Sequence, residues 1–433
     1  PLGTQRILPA PSAVDTGLSN GLRILVVRRP AGPMVEARLV IPFGGTEHTH
    51  AARAEVLAAT MLCGTSRRGR FEIDTALAAA GADLSVRVDP VDLSISGSAL
   101  VAGLDVVLDV LADTLTSAAY PAAEVSQERA RLVERITMSR FQPQTIAREA
   151  LQRRRYGDHP ATRELPQAED VAAVEPEAVR ELHRRCVVPS GAVLVVVGDV
   201  TPAHVVDAAE VALKNWQSER SATVLAPLPE LTGTDVQLVH RGGAVQSQLR
   251  LSAQAVPRTD ERYPALRLAN LIFGGYFSSR WVENIRENKG YTYGAFSSIE
   301  TNPHGATLVA EADTASEVTA AALLETRYEL GRLAVLAPAE SEVDNARQYA
   351  IGAHTISTSS QAGLAAQLTA VATAGLDLDW LRAHPSRLQA VTTEQVAQAA
   401  VEFFAPARFT GVVVGDAERL AGPLAALGGV ELP

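Results

Sequence analysis

Few residues in this chain are spaced for chemistry. His48 and His50 form a His-x-His pair beside Glu47 that could ligate a metal. On a polar loop they read instead as solvated side chains, and the other seven histidines are scattered. Gly274-Gly275 with Ser278-Ser279 offers the small residues of a phosphate-binding turn. No Gly-Lys-Ser/Thr follows, and the pair closes a helix rather than a strand, so it reads as a turn at a helix end. No Ser or Cys has a nucleophile's context, and no carboxylate pair is convincingly placed. Arg286 and Tyr293 remain, seven residues apart with Gly290 between them. The segment reads as a helix ending near Lys289, Gly290 as its left-handed terminus, and a strand from Tyr291 that puts Tyr291 and Tyr293 on one side. Arg286 and Tyr293 could then converge. On local grounds alone, Arg286 is a helix-end charge favourable to the macrodipole, and Tyr293 is a strand aromatic.

The elements that would carry these residues alternate between helix and strand. Leu22–Arg29 and Ala37–Phe43 read as strands. Leu84, Val86 and Val88 alternate with polar residues, and Leu93 and Ile95 do so beyond Asp89-Pro90, which predicts an antiparallel hairpin. Leu104, Leu108, Leu111 and Leu115 share one helix face, as do Val205, Ala209, Ala212 and Trp216. The chain also repeats itself. Ala173-Val174, Val179, Pro189 and Val195–Asp199 recur as Ala390-Val391, Val396, Pro406 and Val412–Asp416, always offset by 217 residues. One constant offset near half the chain length predicts a duplicated domain. Each copy holds a helix, a proline turn, a buried strand (Val193–Val197, Gly411–Val414) and a Gly-Asp turn. Residues 217–235 gather Ser, Pro, Gly and Thr without periodicity and read as an interdomain linker. The expected class is α+β, with domains over 1–216 and 236–433.

Composition bounds the function. The chain has 433 residues, 47% apolar, with a net charge of −10, which supports at least two cores and argues against a nucleic-acid partner. No apolar run is long enough to span a membrane. The opening residues, Pro-Leu-Gly-Thr-Gln-Arg, show no secretory signal. Cys63 and Cys186 lie among apolar neighbours and read as buried thiols of a reducing, cytoplasmic compartment.

Several landmarks, taken in order, resemble the M16 (pitrilysin-like, mitochondrial-processing-peptidase-like) metallopeptidases. They are Leu18-Ser-Asn-Gly-Leu-Arg-Ile-Leu-Val, Gly44-Gly45-Thr46-Glu47, the apolar segment 54–65 ending in Gly64-Thr65, Gly157-Asp158-His159-Pro160, and Ile285-Arg286-Glu287-Asn288-Lys289-Gly290-Tyr291-Thr292-Tyr293. In that family the segment matching 54–65 carries His-x-x-Glu-His. Here its three working positions are Glu55, Ala58 and Ala59, and the downstream ligand slot falls on Arg135, or on Glu134 with a shift of one. One carboxylate beside two methyl groups does not make a zinc site.

The resemblance therefore implies two homologous domains, each a mixed or antiparallel sheet packed with helices, together half of a clam-shell chamber. It implies a chain that binds no metal and is inactive alone, partnered with an M16 subunit that bears His-x-x-Glu-His and the zinc. Arg286 and Tyr293 would supply hydrogen-bond donors to the scissile carbonyl, with Tyr291 as the rival to Tyr293. Gly274, Gly275 and Ser278 would line the peptide substrate. A non-proteolytic scaffold or peptide-binding subunit is the other role found under this resemblance.

Overall fold

Two sheets of six strands organise the chain. The computed structural model describes residues 12–231 and 233–433; the opening residues read above for a secretory signal lie outside the described residues. The first sheet contains β1 (Ala13–Gly17), β2 (Arg23–Arg28), β3 (Met34–Pro42), β4 (Asp83–Val88), β5 (Asp92–Leu100) and β6 (Val193–Gly198), in the order β1-β2-β6-β3-β5-β4. The second contains β7 (Val236–His240), β8 (Gln246–Gln254), β9 (Thr292–Asn302), β10 (Gly305–Ala315), β11 (Thr410–Gly415) and β12 (Val430–Glu431), in the order β12-β7-β11-β8-β10-β9. Both sheets are mixed, and the class is α+β. In each, the repeated strand lies between a parallel neighbour (β2 or β7) and an antiparallel one (β3 or β8). That position explains the Val-rich repeats: β6 and β11 are buried along their whole length, and only apolar residues suit both faces. The hairpin over Leu84–Ile95 is present as β4 and β5.

The chain forms two compact units, and neither is one continuous stretch. One comprises residues 1–134, 165–224 and 356–381; the other comprises 135–164, 225–355 and 382–433. The sequence repeat leads one to expect continuous domains over 1–216 and 236–433; the units divide inside 217–235 and exchange one segment each. The exchanged pieces occupy equivalent places, since each includes the third helix after its half's hairpin. In the first unit, helix Gln361–Ala372 buries Leu364, Ala365, Leu368 and Val371 against Leu25, Val27, Val193, Val195 and Val197. In the second, helix Pro143–Tyr156 buries Ala147 and Leu151 against Val309, Val412 and Val414. A central strand with two apolar faces needs a cover on each. Full burial of each Leu or Val here contributes about 1.5–3 kcal/mol. Among the described residues, no helix is long and apolar enough to cross a membrane.

Candidate functional site

Helix His50–Thr60 carries Glu55, Ala58 and Ala59 at half-buried positions, one helical turn apart. Two of the three offer only methyl groups. Arg135 and Glu134, the alternatives for the downstream slot, are both exposed on helix Ala122–Arg140. These residues do not fit zinc. His50 is not solvated as expected: it is buried, its Nε2 lies 2.7 Å from the Phe43 carbonyl, and burial holds its pKa below the usual histidine range. Its ring fills the space a side chain at Gly45 would need. Among the described residues, Cys63, Glu124 and Glu128 bring donor atoms to metal-like spacing. A guanidinium already sits there: Arg70 donates to Glu124 at 2.8 Å and to Glu128 at 3.5 Å. Burial pushes the Cys63 thiol up to about 11, so it carries its proton at neutral pH. Both cysteines are buried and free.

The Arg/Tyr segment is built on the second unit's core. Helix Tyr263–Asn270 runs into a π-helical turn, Leu271–Gly275, that rests on β9. A Cβ at Gly274 would come 2.8 Å from the Trp281 ring and 3.0 Å from Ser297 Cβ, so glycine lets the helix end close on both. Gly274 and Gly275 are buried and serve packing; Ser278, in the turn that follows, is exposed. That turn is anchored at both ends. Tyr276 stacks on Tyr349 at 5.1 Å, and buried Arg280 makes two 2.7 Å bonds to Glu342. The Arg280 guanidinium holds the Glu342 carboxyl below the usual range.

A second π-helical turn, Glu283–Asn288, carries Arg286. Such turns are rare and recur at functional sites. Ile285 faces the core, and the Asn284 amide donates to Glu325 and Glu329 at 2.9 and 2.8 Å. Arg286 points away from that face, and its guanidinium lies 4.5 Å from the centroid of the exposed Phe277 ring. Its Nε is 3.5 Å from Glu287.

The turn after Arg286 forms as expected. Gly290 has φ +64°, its N–H donates to the Arg286 carbonyl at 3.1 Å, and the Tyr291 N–H donates to Ile285 at 2.8 Å. The strand then departs from expectation. It begins at Thr292, and Tyr291 is a half-buried turn residue. Thr292 pairs with Thr314 and Ala295 with Ala312, so Tyr293 and Gly294 together oppose Asp313. With Tyr291 outside β9, strand alternation does not relate it to Tyr293, and the bulge shifts the alternation beyond Tyr293. Tyr293 is left 96% exposed on an edge strand. Arg286 and Tyr293 stand on either side of one Gly290 turn and make no hydrogen bond to each other. The sequence assigned no role to Thr292, whose hydroxyl bonds across the bulge, or to Phe277, whose ring lies under Arg286. An alternation count through Tyr293 to the buried Ser297 hints at the bulge.

Residues 23–169 match the family described as insulinase (peptidase family M16), and residues 173–349 match the peptidase M16 inactive domain. The chain belongs to the M16 peptidase family. Glu55, Ala58 and Ala59 fall in the first match, and Arg286 and Tyr293 fall in the inactive-domain match. M16 relatives include an uncharacterized zinc protease of Streptomyces coelicolor, 24% identical over 290 residues, 65% of this chain and 63% of that protein. Another is the uncharacterized zinc protease YmxG of Bacillus subtilis, 24% identical over 281 residues, 64% of this chain and 68% of that protein. The match thus spans less than two thirds of the Streptomyces relative. Among solved structures, a peptidase M16 inactive domain from Pseudomonas fluorescens aligns with TM-score 0.85 at 21% identity, covering 93% of this chain and 98% of that one. A protease from Helicobacter pylori aligns with TM-score 0.83 at 17% identity, covering 93% and 99%. At these identities the likeness is one of M16 fold.

Proposed function

We propose that this chain is the zinc-free subunit of a heterodimeric M16-type zinc endopeptidase and is inactive alone. The observation that carries this reading is Tyr293. Its phenol is almost wholly exposed on a bulged edge strand, one turn from Arg286, in a chain whose own metal positions hold two alanines. Burial of a structural tyrosine is ordinary; an aromatic this exposed on a sheet edge suits a ligand. An extended peptide adds to an unpaired strand edge through its backbone. Hydrolysis builds negative charge on the scissile carbonyl oxygen, and a phenolic O–H with a guanidinium aimed at that oxygen binds the transition state more tightly than the substrate. The partner M16 subunit, bearing His-x-x-Glu-His, supplies the metal chemistry. Two free buried thiols support a reducing, cytoplasmic setting.

The test is affinity purification of the chain from its source cells, with peptide hydrolysis assayed on what is recovered. The reading expects a roughly equimolar partner bearing His-x-x-Glu-His and activity only in the mixture. Tyr293→Phe should leave assembly intact and lower turnover at least tenfold; full loss of such a donor, about 2.7–4 kcal/mol, would lower it about a hundred- to a thousandfold. Peptide binding without hydrolysis in the intact complex would assign a scaffold or peptide-binding role instead.

A further inference from the structure

The Tyr293 ring is 96% exposed, so packing does little to hold it, and its backbone sets the direction in which it leaves the strand. That backbone is stapled by one side chain. The buried Thr292 hydroxyl oxygen lies 2.7 Å from the Gly294 carbonyl and 2.7 Å from the Asp313 carbonyl, and it accepts the Gly294 N–H at 3.1 Å. The single hydroxyl proton reaches one carbonyl at a time while a lone pair holds the amide. These contacts tie the residues on either side of Tyr293 to each other and to the neighbouring strand. At a bulge the ladder bonds that would do this are missing. On an edge strand no further strand replaces them.

We infer that Thr292 is a positioning residue: its hydroxyl closes the bulge and thereby holds Tyr293 toward the substrate edge. The inference rests on the reading of Tyr293 as a donor to the substrate carbonyl. The residue's β-branched shape suits a strand, but only its oxygen can make the staple. Thr292→Val keeps the shape and removes the oxygen; Thr292→Ser keeps the oxygen.

Four variants of the assembled complex decide it: Thr292→Val, Thr292→Ser, Tyr293→Phe, and Thr292→Val combined with Tyr293→Phe. Thr292→Val should lower kcat about fivefold or more with KM changed by less than about twofold, and Thr292→Ser should stay close to the parent. The double variant should be no slower than Tyr293→Phe, because a residue acting through Tyr293 then has nothing left to position. A parental kcat for Thr292→Val beside a slow Tyr293→Phe overturns the inference and leaves the role of Tyr293 standing. A parental kcat for Tyr293→Phe removes that role and the inference with it. Losses that add in the double variant also overturn it. Amide hydrogen exchange on the full chain by itself covers a variant that fails to assemble. The Gly294 N–H should exchange about tenfold faster in Thr292→Val than in the parent or in Thr292→Ser. Equal rates in all three overturn the staple.

Discussion

The guanidinium of Arg286 stacks over the ring of Phe277, 4.5 Å from its centroid, across the turn that leads into the second π-helical segment. A planar cation on an exposed aromatic face is attracted by the ring's quadrupole and keeps its edge N–H groups free for an acceptor. Arg286 is thus oriented with its Nε also 3.5 Å from Glu287, and the turn beneath it is pinned by Arg280 and Tyr276. Phe277→Ala should lower turnover of the proposed heterodimer about two- to fivefold, the equivalent of about 0.5–1 kcal/mol for a stack at an exposed site. Steady-state kinetics of the variant complex test this; unchanged kinetics would make the stack incidental.

Arg155 should matter to stability. Its side chain is 3% exposed on the exchanged helix Pro143–Tyr156 and reaches Ser252 and Thr307 at 3.2 Å, Glu300 at 3.3 Å and Gln152 at 2.9 Å. Arg155→Met keeps the stem and strands these partners. It should cost about 1.5–3 kcal/mol, toward the lower end because half-exposed Glu300 is rescued by water. The shift of the urea midpoint measures it, and a midpoint within error of the parent would refute the lock.

Acid should weaken the fold through buried histidines. His384 is held down to about 3, first by burial and then by Arg267, His354, Arg258 and Arg387. Burial also lowers His183, whose ring meets Tyr120 at 2.7 Å and the Leu115 carbonyl at 2.9 Å. Unfolded histidines titrate near 6.5, so between about 6.5 and the depressed folded value the unfolded chain binds more protons. The stabilisation is complete above about pH 6.5 and drains away as pH falls toward 3, by up to about 1.4 kcal/mol per pH unit per histidine. His384→Gln should shrink the stability difference between pH 7 and pH 5 in urea titrations. An undiminished difference would exclude His384 as a contributor.

The purified chain should carry no stoichiometric zinc by elemental analysis, and a chelator should leave its unfolding midpoint in place. Arg70 already bonds Glu124 and reaches Glu128 in the Cys63, Glu124 and Glu128 cluster, and Arg131 bonds Glu128 at 2.8 Å. One zinc per chain would contradict the reading of Ala58 and Ala59.

Much of this was legible in the residues. The constant 217-residue offset announced the duplication, and Val193–Gly198 and Thr410–Gly415 are equivalent central strands. Gly290 marked a turn that needs a left-handed residue, and two alanines emptied the metal positions. The last two are local facts, carried by side-chain type and short-range spacing, and the first is a comparison of the sequence with itself. His50 was misread because its burial depends on the Phe43 carbonyl and the space beside Gly45, which no count along the chain displays.

Sequence alone thus determined the kind of protein: two repeated α+β halves, Glu55 with two alanines on the first helix, and an Arg and a Tyr flanking a glycine turn. Tertiary structure alone decided how they are used. The exchange of Pro143–Tyr156 and Gln361–Ala372 answers the need of two-faced apolar strands for a second cover, a non-local demand that any amphipathic helix could meet. The bulge at Tyr293 is a register shift between β9 and β10 opposite Asp313, whose carbonyl lies 2.7 Å from the Thr292 hydroxyl. Periodicity reports which face a residue prefers; it does not report which neighbour the strand finds, and that pairing sets where the phenol points.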